Sequence, residues 1–426
     1  MPEPISRFPT ASQSVLVVGA GVVGRAIALT LQDAGHRVVL VDPDPQPTGA
    51  SLGNAGHIAV EQVEPLASRA NVRSMLKRLF WRGGAVGLPL AEVATWLPFA
   101  RRLIAAAAPA RFAAGKRALG AMLDGSMAAW RRLLDKAEAR DLLREDGHFV
   151  LWETPASAAA GLARWRATDI GGATIREVTA AERAQLAAIT TTPIAGAIRF
   201  DGSGQIADLP ALALALEARF RARGGTMRVA RVARLAIEGG RAAAMLEDGT
   251  RLDADRIVVA AGVRSGALLA TIGARVPIVA ERGYHIQSPM TDWPEDMPPV
   301  VFEDRSMIVT RFRSGLRAAS FVEFGRVDSP PDRRKWARLR AHVASLGLPF
   351  GLPGNEWMGA RPTLPDYLPA IGTSRRAGNL IYAFGHQHLG LTLAATTAEA
   401  VAALVDGTPP PYDLTPYDLD RFGGQA

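Results

Sequence analysis

The most constraining feature of this 426-residue chain lies near its beginning. An apolar run, Val15–Val18, leads into Gly19-Ala-Gly21-Val22-Val23-Gly24 and then into the helix-forming stretch Arg25–Ala34. A second apolar run, Val38–Val41, ends in Asp42 and Pro43. Each glycine answers a different steric demand. Gly19 permits a tight turn, Gly21 lets backbone approach a pyrophosphate, and Gly24 lets the helix pack on the strand. The helix N-terminus presents free N–H groups and positive potential to phosphates. Asp42 is placed to accept hydrogen bonds from ribose hydroxyls. A lone G-x-G-x-x-G is a weak signal that also marks glycine-rich turns in ordinary α/β units. Here the flanking strand, helix and acid predict a dinucleotide-binding unit, without separating NAD from FAD.

Composition narrows the class. With 48% hydrophobic residues the chain is not disordered. Its length suggests two or three folding units. Zero cysteines exclude disulfides, thiolate metal sites, thiol nucleophiles and a cofactor tethered through sulfur. Lys plus Arg number 49 against 41 acids, a net +8 that fits acidic substrates or an anionic membrane. No zinc-finger, basic-zipper or RNA-binding pattern is present, so no nucleic-acid partner is expected. Met1–Gln13 lacks a signal-peptide core, and no apolar run is long enough to span a bilayer. The expectation is a cytoplasmic protein, with peripheral contact to the inner membrane as the variant.

Further along, Asn71–Lys136 reads as helical, with Arg and Lys among Leu, Ala, Trp and Phe. Phe149–Trp152 reads as a strand, and Thr179-Ala-Ala-Glu182 as a capping box. Leu209–Arg223 is helical, and Arg256–Ala261 before Gly262 fits a buried parallel strand. Strand-like segments follow at Tyr284–Gln287, Ser306–Thr310 and Leu316–Phe324, and the tail from Thr408 reads as extended surface structure. The pattern predicts an α/β fold: a Rossmann-like cofactor domain (1–75, 205–272 and 356–426) interleaved with an α+β substrate domain (76–204 and 273–355) containing a mostly antiparallel sheet.

The far end of the chain favours FAD. Asn379–Phe384, Gly385–Thr392 and Leu393–Val405 form another strand, glycine-rich turn and helix. Backbone N–H groups at such a turn would stabilise the negative charge of a reduced flavin. A nicotinamide enzyme needs no such second contact.

Several segments together resemble the FAD-dependent D-amino-acid dehydrogenases, within the wider D-amino-acid oxidase and glycine oxidase group. They are the N-terminal glycine motif, Ser51–Ile58, Glu64–Ala67, Glu281–His285, Arg313–Arg317, Trp357–Asp366 and Phe384–Thr392. The resemblance runs from about Ser14 to Phe422, and is weakest between Arg73 and Gln205. It implies a two-domain flavoprotein oxidising a carbon–nitrogen bond next to a carboxylate. The cofactor set it implies is Gly19, Gly21, Val22, Val23, Gly24, Asp42 and Pro43 on the ADP side. Ser51, Asn54, Ala55, Gly56 and His57 follow along the pyrophosphate and ring. Val232 would meet adenine through its backbone, and Ala260, Ala261 and Gly262 would line the cleft. Gly359, Gly385, His388, Leu389, Gly390, Leu391 and Thr392 would approach the ring's pyrimidine side. Arg361 matches the arginine that clamps the substrate carboxylate. Glu303–Ile308 lacks the tyrosine that related oxidases place near that carboxylate, and Tyr284 is the candidate substitute.

The chemistry asks mainly for orientation. Hydride transfer from Cα to flavin N5 needs an uncharged amine and a fixed approach. A planar guanidinium fork supplies direction as well as charge. The candidate catalytic set is therefore Arg361, Tyr284, His285, His57 and His386. Against each stands a bland reading: a structural ion pair for Arg361, a core aromatic for Tyr284, satisfied core histidines for the rest. His386-x-His388 has no carboxylate at metal-ligand spacing, so no metal is expected. The product would be an imino acid, then a 2-oxo acid and ammonia, with electrons passed to a quinone or other acceptor. Alternatives are a cis-4-hydroxy-D-proline or D-proline dehydrogenase giving a cyclic imine, an oxygen-using oxidase, and a non-catalytic flavin-binding subunit. The cationic stretch from Asn71 could rest on anionic lipid, or be an ordinary solvated face.

Overall fold

The computed structural model describes residues 12–44, 46, 49–289, 292–351 and 354–423. The expectation for Met1–Gln13 falls largely outside them.

Six strands form one sheet in the spatial order Thr226–Val229, Arg37–Asp42, Ser14–Val18, Arg256–Val259, Leu380–Phe384 and Ala370–Thr373. The first five run parallel, and only Ala370–Thr373 is antiparallel to its neighbour. Parallel strands buried on both faces read as unbroken apolar runs, which is why alternation is absent in Val15–Val18 and Ile257–Val259. Val15, Val17, Val258 and Ile381 join the core beneath helices Val22–Asp33 and Ala394–Asp406. Leu16, Val18, Ile257 and Val259 face a small sheet of Val232–Glu238, Arg241–Leu246 and Arg251–Leu252. Arg256–Val259 lies between the strands from the two chain ends. The carboxyl ends of all three therefore open onto one edge, where ligands of parallel α/β sheets bind.

A nine-stranded sheet forms the second body. Glu356–Thr363, Val279–Ser288, Gly315–Gly325, Met307–Phe312, Val300–Phe302, His148–Trp152, Gly196–Asp201 and Thr174–Glu177 follow one another, and Val86–Gly87 pairs with Gly315–Gly325. Only two of these pairings are parallel, Val300–Phe302 with His148–Trp152 and Val86–Gly87 with Gly315–Gly325. The mostly antiparallel sheet expected of the substrate domain is thus present. One boundary needs correction. Glu356–Thr363 pairs with Val279–Ser288 and belongs to this sheet, so the break expected at 356 falls before the strand rather than after it. A short sheet of His57–Ile58, Gly204–Ile206 and Leu143–Arg144 joins segments assigned to both domains.

The helical region is broken into Arg69–Arg78, Val93–Ala106, Pro109–Asp124 and Ser126–Lys136. Gly83, with φ of 92°, ends the short turn Phe80–Arg82 in the left-handed region, and Pro109 restarts a helix at its first position. The tail departs from the extended surface expectation. Tyr417 and Leu419 are buried in short helical turns, and the Tyr417 hydroxyl donates to Ala118 O at 2.6 Å. Among the described residues, no helix is long and apolar enough to cross a membrane.

Candidate active site

The glycines of the first turn differ sharply in what surrounds them. Gly19 has φ of +107°, donates to Val41 O at 2.8 Å, and would place a Cβ 2.5 Å from Ala260 O. A Cβ on Gly24 would lie 1.8 Å from Gly19 O. Gly21 would meet only Ser51 Oγ, at an ordinary 3.4 Å. The chain itself thus demands glycine at 19 and 24, whereas Gly21 faces space. Gly21, Val22, Ser51, Leu52 and Leu391 line a narrow cavity at the start of helix Val22–Asp33. That helix has no acid in its first turn and no side-chain cap from Gly21; Ser51 Oγ accepts from Val22 N–H at 3.0 Å. Half-buried Val23 follows.

Asp42 accepts from Ala20 N–H at 2.6 Å and Asp44 N–H at 3.0 Å, so its carboxylate is held against the glycine turn with half-buried Pro43 after it. Ala230 N–H donates to Asp42 O at 3.0 Å, which brings Val232 close behind. Ala260 and Ala261 follow the neighbouring strand, and Gly262, with φ of +56°, faces open space. Asn54 Oδ1 accepts from Gly56 N–H at 2.8 Å across Ala55, and Gly56 O accepts from Ile206 N–H at 2.8 Å. From the far end, Thr392 Oγ1 accepts from Ala59 N–H at 3.0 Å, and Trp130 Nε1 donates to Leu391 O and Thr392 O at 3.1 and 3.3 Å. Gly385, Leu389 and Gly390 precede them in the same loop, Gly385 with φ of +83°. The first and last loops of the cleft are therefore bonded to each other. An acid-free helix N-terminus, an acid at the next strand end and two backbone-rich loops fit an adenine dinucleotide.

The second sheet supplies the opposite wall. Strand residues alternate in direction, so Val279–Ser288 puts Glu281, Gly283 and His285 on one face and Arg282 and Tyr284 on the other. Arg361 lies directly across from Glu281 in register and donates through Nη1 to Glu281 Oε1 at 3.2 Å. Glu281 Oε2 accepts from the hydroxyls of Thr363 and Tyr367 at 3.0 and 3.2 Å. The guanidinium lies over Gly283, where a Cβ would come 2.4 Å from Nη2. His285 Nδ1 donates to Gly53 O at 3.1 Å, and its ring stacks on Trp357 at 4.9 Å. The Trp357 ring covers Gly53 and Gly359, leaving no room for a Cβ at either. His388 bonds Gln62 Oε1 at 2.7 Å and lies within electrostatic reach of Glu281 and Arg361. Burial pushes His388 down to about 4 and His285 to about 3, with Arg317 adding to the depression of His285. Both rings are neutral at physiological pH.

Three candidates lie elsewhere. Tyr284 points away from Arg361: its hydroxyl donates to Glu323 at 3.1 Å and accepts from Asp332 N–H at 3.1 Å. It belongs to a buried network in which Arg282 and Lys335 both bond Glu323, so it does not replace the missing tyrosine. His386 turns into the core, its Nε2 bonded to Thr397 Oγ1 at 2.9 Å, and burial pushes it to about 3. His57 has both ring nitrogens engaged, with Gly204 O at 3.2 Å and Glu61 at 3.1 Å. Conversely, Glu281, Tyr367 and Trp357 were not foreseen as site residues. Strand alternation in Glu281–His285 was the available signal, since it separates Glu281 and His285 from Tyr284. Arg317 was also missed as a positioning residue. It donates to Leu52 O at 2.9 Å and Asn54 O at 2.5 Å, tying the cofactor loop to the second sheet.

Comparison with known proteins decides the cofactor. The family model "DAO: FAD dependent oxidoreductase" matches residues 14–404. The chain belongs to this family of FAD-dependent oxidoreductases. It is 30% identical over 419 residues to a D-amino-acid oxidase of Bradyrhizobium diazoefficiens, covering 96% of this chain and 98% of that protein. It is 29% identical over 420 residues to D-amino acid dehydrogenase 2 of Pseudomonas aeruginosa, covering 95% and 97%. Glycine oxidase from Geobacillus kaustophilus superposes with a TM-score of 0.73 at 21% identity, covering 96% of this chain and 99% of that one. This oxidoreductase takes FAD, and the cleft edge described above is where the residues fit it.

Proposed function

We propose that this protein oxidises the Cα–N bond of a D-amino acid, giving an imino acid that hydrolyses to a 2-oxo acid and ammonia. The observation that carries the reading is Arg361, whose guanidinium is held by Glu281 on the wall facing the cofactor cleft. FAD, when bound, supplies the two-electron acceptor. Arg361 binds the substrate carboxylate, and its fork sets the direction of Cα. Glu281, fixed by Thr363 and Tyr367, keeps that fork in place. His285 and His388, both neutral, leave the amine free to lose its proton before the bond is oxidised. Trp357 and His285, stacked on each other, form one side of the substrate site. The D configuration is inferred from the relatives, which carry D-amino-acid oxidase and dehydrogenase names.

The experiment is rapid-mixing reduction of the bound flavin by D- and L-forms of alanine, arginine, proline and 4-hydroxyproline. Fast bleaching by D-forms supports the reading. Bleaching only by proline or hydroxyproline selects the cyclic-imine alternative, and preference for L-forms refutes the proposed configuration.

For the acceptor we propose a membrane quinone rather than oxygen. Among the described residues, Leu66, Leu76, Trp81, Leu90, Val93, Leu97 and Ile104 are exposed, Trp81 at 72% and Leu90 at 85%. Exposed Arg73, Lys77, Arg82, Arg101 and Arg102 lie among them. Val93, Leu97 and Ile104 share one helix face by their spacing. The inner face of the same helix packs Phe99 and Leu103 with Val279 and Tyr367, and Tyr367 shares Glu281 with Arg361. Such a cationic, apolar surface suits anionic lipid. Co-flotation with anionic but not neutral vesicles, with quinone reduction exceeding peroxide formation, is expected; peroxide as the main product would refute it.

A further inference from the structure

We infer that His57, Glu61 and His148 form a binding site for one divalent ion of the zinc class. One ligand atom from each residue lies within 4.8 Å of the others. His57 comes from the strand His57–Ile58, Glu61 follows four residues later, and His148 opens the strand His148–Trp152. His148 and Glu61 are buried at 3% and 2% exposure, and the His57 side chain is 8% exposed. The two imidazoles meet edge to face with centroids 4.5 Å apart.

Hydrogen bonding at the site suits a cation. His57 Nδ1 faces the carbonyl of Gly204 at 3.2 Å, so that nitrogen carries the proton. Its Nε2 then presents a lone pair to Glu61 Oε1 at 3.1 Å, one acceptor against another. A second proton on His57 would relieve that contact alone. It would leave Glu61 Oε2 as it stands, buried and without any hydrogen-bond partner, a costly condition for a carboxylate. It would also leave His148 uninvolved. A metal ion satisfies all three at once. The outer contacts already have the form that ligating histidines need, with Nδ1 of His57 on a backbone carbonyl and Nδ1 of His148 on Ser203 Oγ at 2.8 Å.

The donor set selects the ion. Two imidazoles and one carboxylate, with no thiolate available, suit zinc, cobalt or nickel. Calcium and magnesium prefer shells of oxygen. The ion would fasten the segment after the first cofactor loop to the second sheet. Ala59 N–H in that segment bonds Thr392, and Gln62 bonds His388, so both cofactor loops gain from the fastening.

The test uses the FAD-loaded protein, stripped with a chelator and dialysed. Zinc is titrated by calorimetry, and cobalt(II) is followed by its visible ligand-field absorption. Glu61→Gln keeps the side-chain shape, and His148→Asn removes a second ligand. About one equivalent of zinc, a visible cobalt band and a zinc-dependent rise in Tm are expected for the unaltered protein. Both variants should bind at least about 10- to 100-fold more weakly, the loss that follows when even an outer partner of a ligand is removed. If His148→Asn fails to fold, Glu61→Gln decides alone. Absence of binding at about 100 µM zinc, or equal binding by Glu61→Gln, overturns the site and identifies a proton-sharing network or surface histidines instead.

Discussion

Gly283→Ala isolates the orientation of Arg361 from its charge. The added Cβ would lie 2.4 Å from Nη2 and 2.6 Å from Cζ of Arg361. Those atoms end a flexible side chain, so the guanidinium moves and the strand stays. The backbone at 283 is not in the left-handed region, so alanine is tolerated there. A hydrogen bond to a charged group contributes about 1.5–3 kcal/mol net. Losing one well-aimed contact to the substrate carboxylate should lower kcat/KM by about 10- to 150-fold, at roughly tenfold per 1.4 kcal/mol. Most of that loss should fall on the substrate concentration needed to reduce the flavin, read by rapid mixing. The visible flavin spectrum should persist, and Tm should shift by only a few degrees. Arg361→Lys keeps the charge without the fork and should lose a similar factor. Unchanged reduction kinetics in both variants would refute the assignment of Arg361 as the carboxylate ligand.

The remaining expectations rest on independent features. Gly21→Ala should fold normally and bind FAD more weakly, whereas Gly24→Ala, with a Cβ 1.8 Å from Gly19 O, should not yield folded protein; equal behaviour in cofactor titration and thermal melting would contradict the division of roles. Tyr284→Phe should leave substrate kinetics unchanged and lower stability by about 1–3 kcal/mol, because Asp332 N–H loses its acceptor while Glu323 keeps Arg282 and Lys335. A kinetic defect without a stability change in that variant would return the tyrosine to the pocket. Stability should also fall with acid. His285 and His386 are held down at about 3 and His388 at about 4 in the fold, while the unfolded chain takes up these protons near 6.5. The contribution is complete above pH 6.5 and is lost as pH falls toward 4 and then 3, by about 1.4 kcal/mol per pH unit per histidine. Urea midpoints that do not drop between pH 7.5 and 5 would show these rings to be solvated.

Local sequence determined the cofactor half of this protein. Strand, glycine turn, helix and terminal acid lie within thirty consecutive positions, 14–42, and each demand is set by near neighbours: a turn, a helix end, a close crossing. The same holds for the C-terminal repeat of that pattern, and for capping residues such as Thr179 and Glu182. Which histidine faces the site was not legible in that way. His285 and His388 line the wall, held by Gly53 and Gln62 from more than 200 positions away, whereas His386 and His57 turn to the nearby Thr397 and Glu61, because direction depends on strand pleat and on what packs around each ring. Arg361 required Glu281 across the sheet, 80 positions earlier, to hold it in place. His148 met His57 only because His57–Ile58 pairs with Gly204–Ile206, beside Ser203. Contacts between distant segments are chosen by sheet register and by burial shared across the whole fold. Neither leaves a periodic trace in the residues concerned.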